Sequence, residues 1–265
     1  RETGEQDHLM ARFGDTVGGS VDLDAVMKVA SAAPPLPKAP SLPTLKPADL
    51  RIGIAMDAAF GFYYADDLEA FRHAGAELVP LDLMSDQSLP DLDGLFIGGG
   101  FPEARMQDLA ANEAMRQQIA TAITGGLPTY AECGGLMYLC TSIRWGDQQA
   151  EMVGIINAKV EMHRKPQGRG HVVFRPDNHP WLAAGCDHKA HEFHYASLEN
   201  IAQDTEFAAI IARGHGIDGQ HDMIVQGNLV AGFCHLRQTK ALNWVDQFVG
   251  FVRAQKQDNK KPRQT

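Results

Sequence analysis

No run of about 18 apolar residues occurs in the chain, so the sequence offers no membrane-spanning helix. The charged start (Arg1, Glu2, Glu5, Asp7) also lacks the apolar core of a secretory signal. A cytoplasmic protein without membrane partners is expected. Cysteine is sparse: Cys133, Cys140, Cys186 and Cys234 form no Cys-x-x-Cys pair and two of them lie in apolar runs. That excludes the usual zinc and disulfide frameworks and points to reduced thiols. Positive charge is short as well, with 24 Lys+Arg against 33 Asp+Glu and a formal net charge of −9. Such a surface works against the clustered cations that bind a phosphate backbone, so nucleic acid is not an expected partner. No phosphate-cradling loop with its lysine is present, and no internal repeat. What remains, at 265 residues and 44% hydrophobic, is an ordinary globular chain able to bury a large core.

Proline is unevenly spread. Pro34, Pro35, Pro37, Pro40, Pro43 and Pro47 crowd one segment, a density that blocks helix and sheet and favours an extended spacer. Residues 33–49 therefore read as an interdomain linker. Before it come a polar start and a short amphipathic stretch (Val21, Leu23, Ala25, Val26, Val29, Ala30) that Asp22 or Asp24 can cap. Residues 1–32 are too few to enclose a core and read as the remnant of another domain. With Arg rather than Met first, the chain reads as a piece of something longer.

From Arg51 strands and helices alternate. Ile52–Met56 reads as a strand, Asp66–Ala74 as a helix stopped by Gly75, Glu77–Leu81 as a strand, and Leu95–Ile97 as a strand running into Gly98-Gly99-Gly100. A long helix is predicted from about Glu103 to Thr124, then a strand at Pro128–Ala131. This order predicts an α/β fold with a mostly parallel sheet covered by helices on both faces. Beyond Met152 the pattern predicts additional strands at 152–162, 170–175, 190–195 and 229–235, then a helix near 241–255. The basic tail, residues 256–265, is expected to fray.

The stretch Pro128-Thr-Tyr-Ala-Glu-Cys133-Gly-Gly-Leu-Met-Tyr-Leu139 carries the strongest chemical signal. An apolar strand stops at a cysteine, small residues (Ala131, Gly135) stand two positions to either side, and a helical pattern starts at once. That is the layout of a nucleophile elbow, which presents a side chain above the sheet edge. There Cys133 would meet the positive end of the helix, and Gly134 could offer its N–H to an oxyanion. A buried structural cysteine is the plainer alternative. Gly98-Gly99-Gly100 ends another strand, and consecutive glycines there let backbone N–H groups approach a ligand. Leu229-Val-Ala-Gly-Phe-Cys-His235 is an apolar strand that ends in an imidazole, a base for Cys133.

Five ordered runs resemble the glutaminase half of the cobyrinic acid a,c-diamide synthase family, a branch of the class I glutamine amidotransferases. They are Asp57-Ala-Ala-Phe-Gly-Phe-Tyr-Tyr64, Gly98-Gly-Gly-Phe-Pro-Glu103, Ala131-Glu-Cys-Gly-Gly-Leu-Met-Tyr-Leu139, His191-Glu-Phe-His-Tyr195 and the strand ending at His235. The resemblance spans residues 50–255, and residues 21–31 resemble the end of that family's ATP-dependent synthetase domain. It implies that Cys133 attacks the side-chain amide of glutamine and that His235 activates the thiol and protonates the departing ammonia. Gly99, Gly100 and Gly134 form the implied oxyanion and glutamine-binding set. ATP and Mg²⁺ would belong to a synthetase domain, in the same polypeptide or a partner chain, with no cofactor held by the present residues and no metal site assigned. The acceptor would be a tetrapyrrole acid, and a homodimer is compatible with this reading.

Many class I members carry a glutamate two residues after the histidine, but here that position is Arg237. Glu192 is the candidate to orient His235 in its stead. Tyr63, Tyr64, His191, Glu192, His194 and Tyr195 are implied to line the junction between glutamine site, ammonia path and macrocycle. The basic run His163-Arg-Lys-Pro-Gln-Gly-Arg169 could meet macrocycle carboxylates, or be a solvated loop. His215-Gly-Ile-Asp-Gly-Gln-His221 has the composition of a metal site and equally of a hairpin turn. Segments 163–171 and 213–222 resemble a subgroup whose proposed substrate is sirohaem, which leaves the tetrapyrrole open. A non-catalytic docking domain that keeps the fold is the competing class, and an independent Cys-His hydrolase of related fold is a third.

Overall fold

The computed structural model describes residues 4–38, 45 and 47–260, with the side chains of 4–6, 259 and 260 left aside. The chain divides into two compact units, residues 1–43 and 44–265. In the first, α1 (Gly4–Ser20) occupies what the sequence pattern marks only as a polar start, and α2 (Leu23–Ser31) follows. Of the two capping candidates it is Asp22 that accepts from Ala25 N–H, at 2.9 Å. Part of the predicted linker, residues 39–44 and 46, lies outside the described residues, as do residues 261–265 of the predicted tail.

The second unit opens with β1 (Leu50–Ala55), β2 (Phe60–Phe62), α3 (Ala65–His73), β3 (Ala76–Leu81), β4 (Gly94–Ile97) and the two-residue β5 (Gly99–Gly100). A 3₁₀ turn (Pro102–Arg105), α4 (Met106–Ala111) and α5 (Glu113–Thr124) replace the single long helix that the sequence predicts. The break is at Asn112. Its amide donates to the carbonyls of Leu83 (3.1 Å) and Asp86 (2.9 Å), while its side-chain oxygen caps Met115 N–H, so the residue starts a new helix rather than continuing the old one.

Next come β6 (Thr129–Glu132), α6 (Gly134–Leu139), β7 (Cys140–Trp145), β8 (Gln148–Glu151), β9 (Ile156–Met162), β10 (Gly168–Pro176) and β11 (His188–His194). The chain finishes with β12 (Ala196–Glu199), β13 (Glu206–Arg213), β14 (His221–Gln226), β15 (Leu229–Gly232) and α7 (Trp244–Lys260). The helix α7 reaches past the predicted fray point because its basic residues are anchored: Lys256 pairs with Asp93 at 2.8 Å and Arg253 with Asp49 at 2.7 Å.

The main sheet has nine strands in the order β11-β10-β13-β14-β15-β6-β4-β1-β3. From β15 to β3 all pairings are parallel, and from β15 to β11 all are antiparallel. A second sheet, β12-β9-β7-β8, packs over one face. Alternation along the central strands sorts the core: Leu95, Ile97 and Ala131 face α4, α5 and the second sheet, whereas Ile52, Ile54, Phe96 and Tyr130 face α3 and α7. The fold is thus α/β, with a five-stranded parallel block extended by the late antiparallel strands. Its parallel strands deliver β4 and β6 side by side, with the glycine loop and Cys133 at their C-terminal ends.

Candidate active site

Cys133 follows β6 directly and has φ 52° and ψ −103°, a backbone that non-glycine residues rarely adopt. The turn closes because Cys133 N–H donates to Gly232 O at 2.7 Å and Met137 N–H to Cys133 O at 3.1 Å. Small neighbours are required: a Cβ on Gly135 would run into the carbonyl of Ile97. Cys133 is 7% exposed, whereas Cys140 and Cys234 are sealed in the core and burial pushes both thiols up.

His235 lies beyond the end of its strand. The sequence predicts a strand through 229–235, but β15 stops at Gly232 because Phe233 N–H and Cys234 N–H turn to the buried carboxylate of Asp222, at 2.9 and 2.8 Å. His235 is instead fixed by an isolated antiparallel bridge to His191, its N–H donating to His191 O at 2.8 Å. Cys133 Sγ donates to Phe193 O at 4.0 Å, and its side chain lies within electrostatic reach of the His235 ring. Burial opposes a charged imidazole, but the neighbouring Cys133 and Glu132 side chains outweigh it and hold His235 well above the usual histidine range.

The glycine loop closes the third side. The backbone of Gly100 touches Gly134: a Cβ on Gly134 would sit 3.0 Å from Gly100 N. Asp57 organises the approach by accepting from Ala59, Phe60 and Leu83 N–H groups (2.7, 3.0 and 2.8 Å), which brings β2 against β5 with Phe60 opposite Gly100 and Phe62 opposite Gly99. A thiol at a strained turn, an imidazole beside it and two backbone segments converging next to them are an arrangement that could take up an acyl group and support its oxyanion.

The model of the CobB/CobQ-like glutamine amidotransferase domain matches residues 51–241. The chain belongs to this family. A cobyrinate a,c-diamide synthase of Magnetococcus marinus is 38% identical over 254 residues, covering 93% of this chain and 54% of the relative. One of Archaeoglobus fulgidus is 36% identical, covering 89% and 52%. The chain spans about half the length of these curated relatives. Among solved structures, PurLQS from Thermotoga maritima (16% identity, TM-score 0.56) covers 80% of this chain and 99% of its own. A glutamine amidotransferase of the same organism (13% identity, TM-score 0.51) covers 81% of this chain and 87% of its own. These two show the shared fold.

Several of the residues expected at the site point elsewhere. Glu192 does not reach His235: it turns the other way, accepting from His215 N–H (2.7 Å) and Gly216 N–H (2.8 Å) and lying 3.7 Å from His194. Burial would raise its pKa, but His194 and the two N–H groups outweigh that and lower it. His194 is itself interior, stacked on Phe233 at 3.8 Å with Nδ1 against Ala196 O. Strand alternation explains both: in β11 the even residues point into the fold. Tyr63 has its hydroxyl turned inward, donating to Ala55 O and accepting from Gly98 N–H, so it props the glycine loop. Tyr64 does stand near the dyad, its hydroxyl 3.1 Å from His191 Nδ1 and its ring under Arg237 at 5.0 Å. The segment 215–221 is a hairpin turn in which Asp218 holds Gln220 and His221 N–H groups. Among the described residues no three His, Cys, Asp or Glu side chains gather as metal ligands. Two further residues support His235 to which the sequence reading gives no role, Asp222 and, inside the elbow motif itself, Glu132. Each acts on residues distant in sequence.

Proposed function

We propose that this chain is the glutaminase part of a glutamine-dependent amidotransferase that amidates carboxylates of a tetrapyrrole acid, as the names of its relatives describe. The observation that carries the reading is the strained elbow at Cys133, with Gly100 against Gly134 and His235 within electrostatic reach of the thiol. Cys133 Sγ adds to the side-chain amide carbon of glutamine, and the oxygen that gains the negative charge is met by backbone N–H groups of Gly100 and Gly134. His235 gives its proton to the nitrogen as the C–N bond breaks, releasing ammonia and leaving a γ-glutamyl thioester on Cys133. Water, deprotonated by His235, then attacks the thioester, and glutamate departs as the thiol is restored.

The ammonia would pass to a synthetase partner that activates the acceptor carboxylate with ATP and Mg²⁺, since these residues contain no phosphate loop. We place this chemistry in the cytoplasm; no described helix is long and apolar enough to cross a membrane. The test is glutamate release from glutamine. Cys133→Ser abolishes it, while Cys140→Ala, Cys186→Ala and Cys234→Ala keep most of it. Adding a synthetase half from a relative with ATP, Mg²⁺ and cobyrinic acid raises glutamine turnover and yields an amidated macrocycle. Glutaminase activity that survives Cys133→Ser overturns the mechanism, and ATP consumption with macrocycle amidation by this chain unaided overturns the division of labour.

A further inference from the structure

The position two residues after the histidine is occupied by Arg237, whose guanidinium points outward to Asp66 at 3.0 Å. The His235 ring is nevertheless held on three sides. Its Nδ1 lies 3.3 Å from Glu132 Oε1, one face is stacked on His191 (centroids 4.7 Å apart, planes 14° apart), and the edge of Phe62 meets it at 5.5 Å. We propose that Glu132, the residue directly before the nucleophile, is the positioning carboxylate of His235. This rests on the glutaminase reading of the site.

Glu132 is built for the task. It is 3% exposed, and its other oxygen is tied down by Tyr130 O–H at 3.0 Å and Leu236 N–H at 3.3 Å. One carboxylate therefore joins the strand before Cys133 to the residue after His235. The contact to Nδ1 is an ion pair rather than an aligned hydrogen bond, and such contacts tighten when substrate closes a site. The titratable groups around the ring fit this role. Cys133 and Glu132 face His235 directly. His191 covers its face, with Tyr64 and His171 behind it, and Asp67, Tyr130 and Cys234 surround Glu132. Burial and the neighbouring His235 charge hold His191 below the usual histidine range, so the stacked ring stays neutral and adds no repulsion. The carboxylate that meets the His235 ring is then Glu132.

The readout is the pH profile of Cys133 alkylation by iodoacetamide in a Cys186→Ala background, followed on the Cys133 peptide, alongside glutamine hydrolysis. Glu132→Gln keeps the shape but removes the charge that stabilises the imidazolium. The alkylation midpoint then moves up by about one pH unit, equivalent to about tenfold less thiolate at a fixed pH below it. kcat falls with KM nearly unchanged. Glu132→Asp recovers part of both, and Tyr130→Phe, which removes only a partner of the other oxygen, leaves the midpoint in place. If Glu132→Gln does not fold, the ¹⁵N spectrum of His235 in the unaltered protein decides: an imidazolium persisting beyond pH 8 supports the proposal, and a neutral ring at pH 7 overturns it. A folded Glu132→Gln protein with an unshifted midpoint also overturns it. Alkylation needs no glutamine turnover, so a shifted midpoint in a chain that never hydrolyses glutamine upholds the positioning role while sinking the glutaminase reading.

Discussion

Cys133 and His235 meet at one point but are brought there by different means. The cysteine is placed locally: a strand, two small neighbours and a short helix, all within residues 129–139, make the turn. The histidine is placed from afar, by Asp222 acting on Phe233 and Cys234, by Glu132 across 104 residues on Leu236, and by the bridge to His191. A locally built turn survives changes elsewhere in the fold, whereas a remotely supported residue is exposed to every buried substitution along its supports.

Substitutions test that contrast from both ends. The largest effect is expected at the ring itself: His235→Asn removes the base and lowers glutamine hydrolysis about 10²–10⁴-fold. Next is Asp222→Ala, which leaves two buried N–H groups without an acceptor. Urea unfolding should show a loss of about 2–4 kcal/mol, with activity falling as His235 loses its anchor. A wild-type midpoint would mean that His235 is as locally held as Cys133. Smaller still is Gly99→Ala, whose added Cβ would lie 2.8 Å from His235 Cε1 and 3.3 Å from Phe62 Cβ. It should cut kcat about tenfold while costing about 1 kcal/mol of stability, because the ring moves more easily than the sheet.

The smallest effect concerns the loop after His235. Asp67 holds Gln238 N–H at 2.7 Å and Trp244 Nε1 at 3.3 Å, and burial lifts its carboxyl from 3.8 to about 6. A raised acid pKa means that the folded state binds the proton more tightly, so this group's contribution to stability is present below pH 3.8 and is lost as pH rises to about 6. Thermal melts of Asp67→Asn across that window should have a flatter pH dependence than those of the unaltered chain.

The same contrast explains what is legible in the sequence. The elbow can be read because its signal is contiguous, and the glycine loop because three glycines ending a strand are rare. The parallel block follows from alternating periods. The strands β7, β8, β12, β13 and β14 do not show in the pattern, since their apolar positions serve a second sheet and an antiparallel extension that local patterning does not announce. Asn112 splits a helix through bonds to Leu83 and Asp86, which no helix propensity reveals. Glu192 lies one residue from His191 in the chain, but strand alternation sends it to the opposite face.

If His235 is the proposed base, the isolated bridge between His191 and His235 sets a ceiling on the fraction of molecules that are chemically competent. It has two backbone hydrogen bonds, at 2.8 and 3.4 Å, and among the described residues no ladder flanks it on the His235 side, so its opening is separable from global unfolding. Should that opening cost about 1.4 kcal/mol, roughly one molecule in ten would have the imidazole detached from its stack at any moment. Amide hydrogen exchange at residue 235 measures this occupancy directly, and a ligand that slows the exchange without slowing that of β6 is recruiting molecules into the competent state.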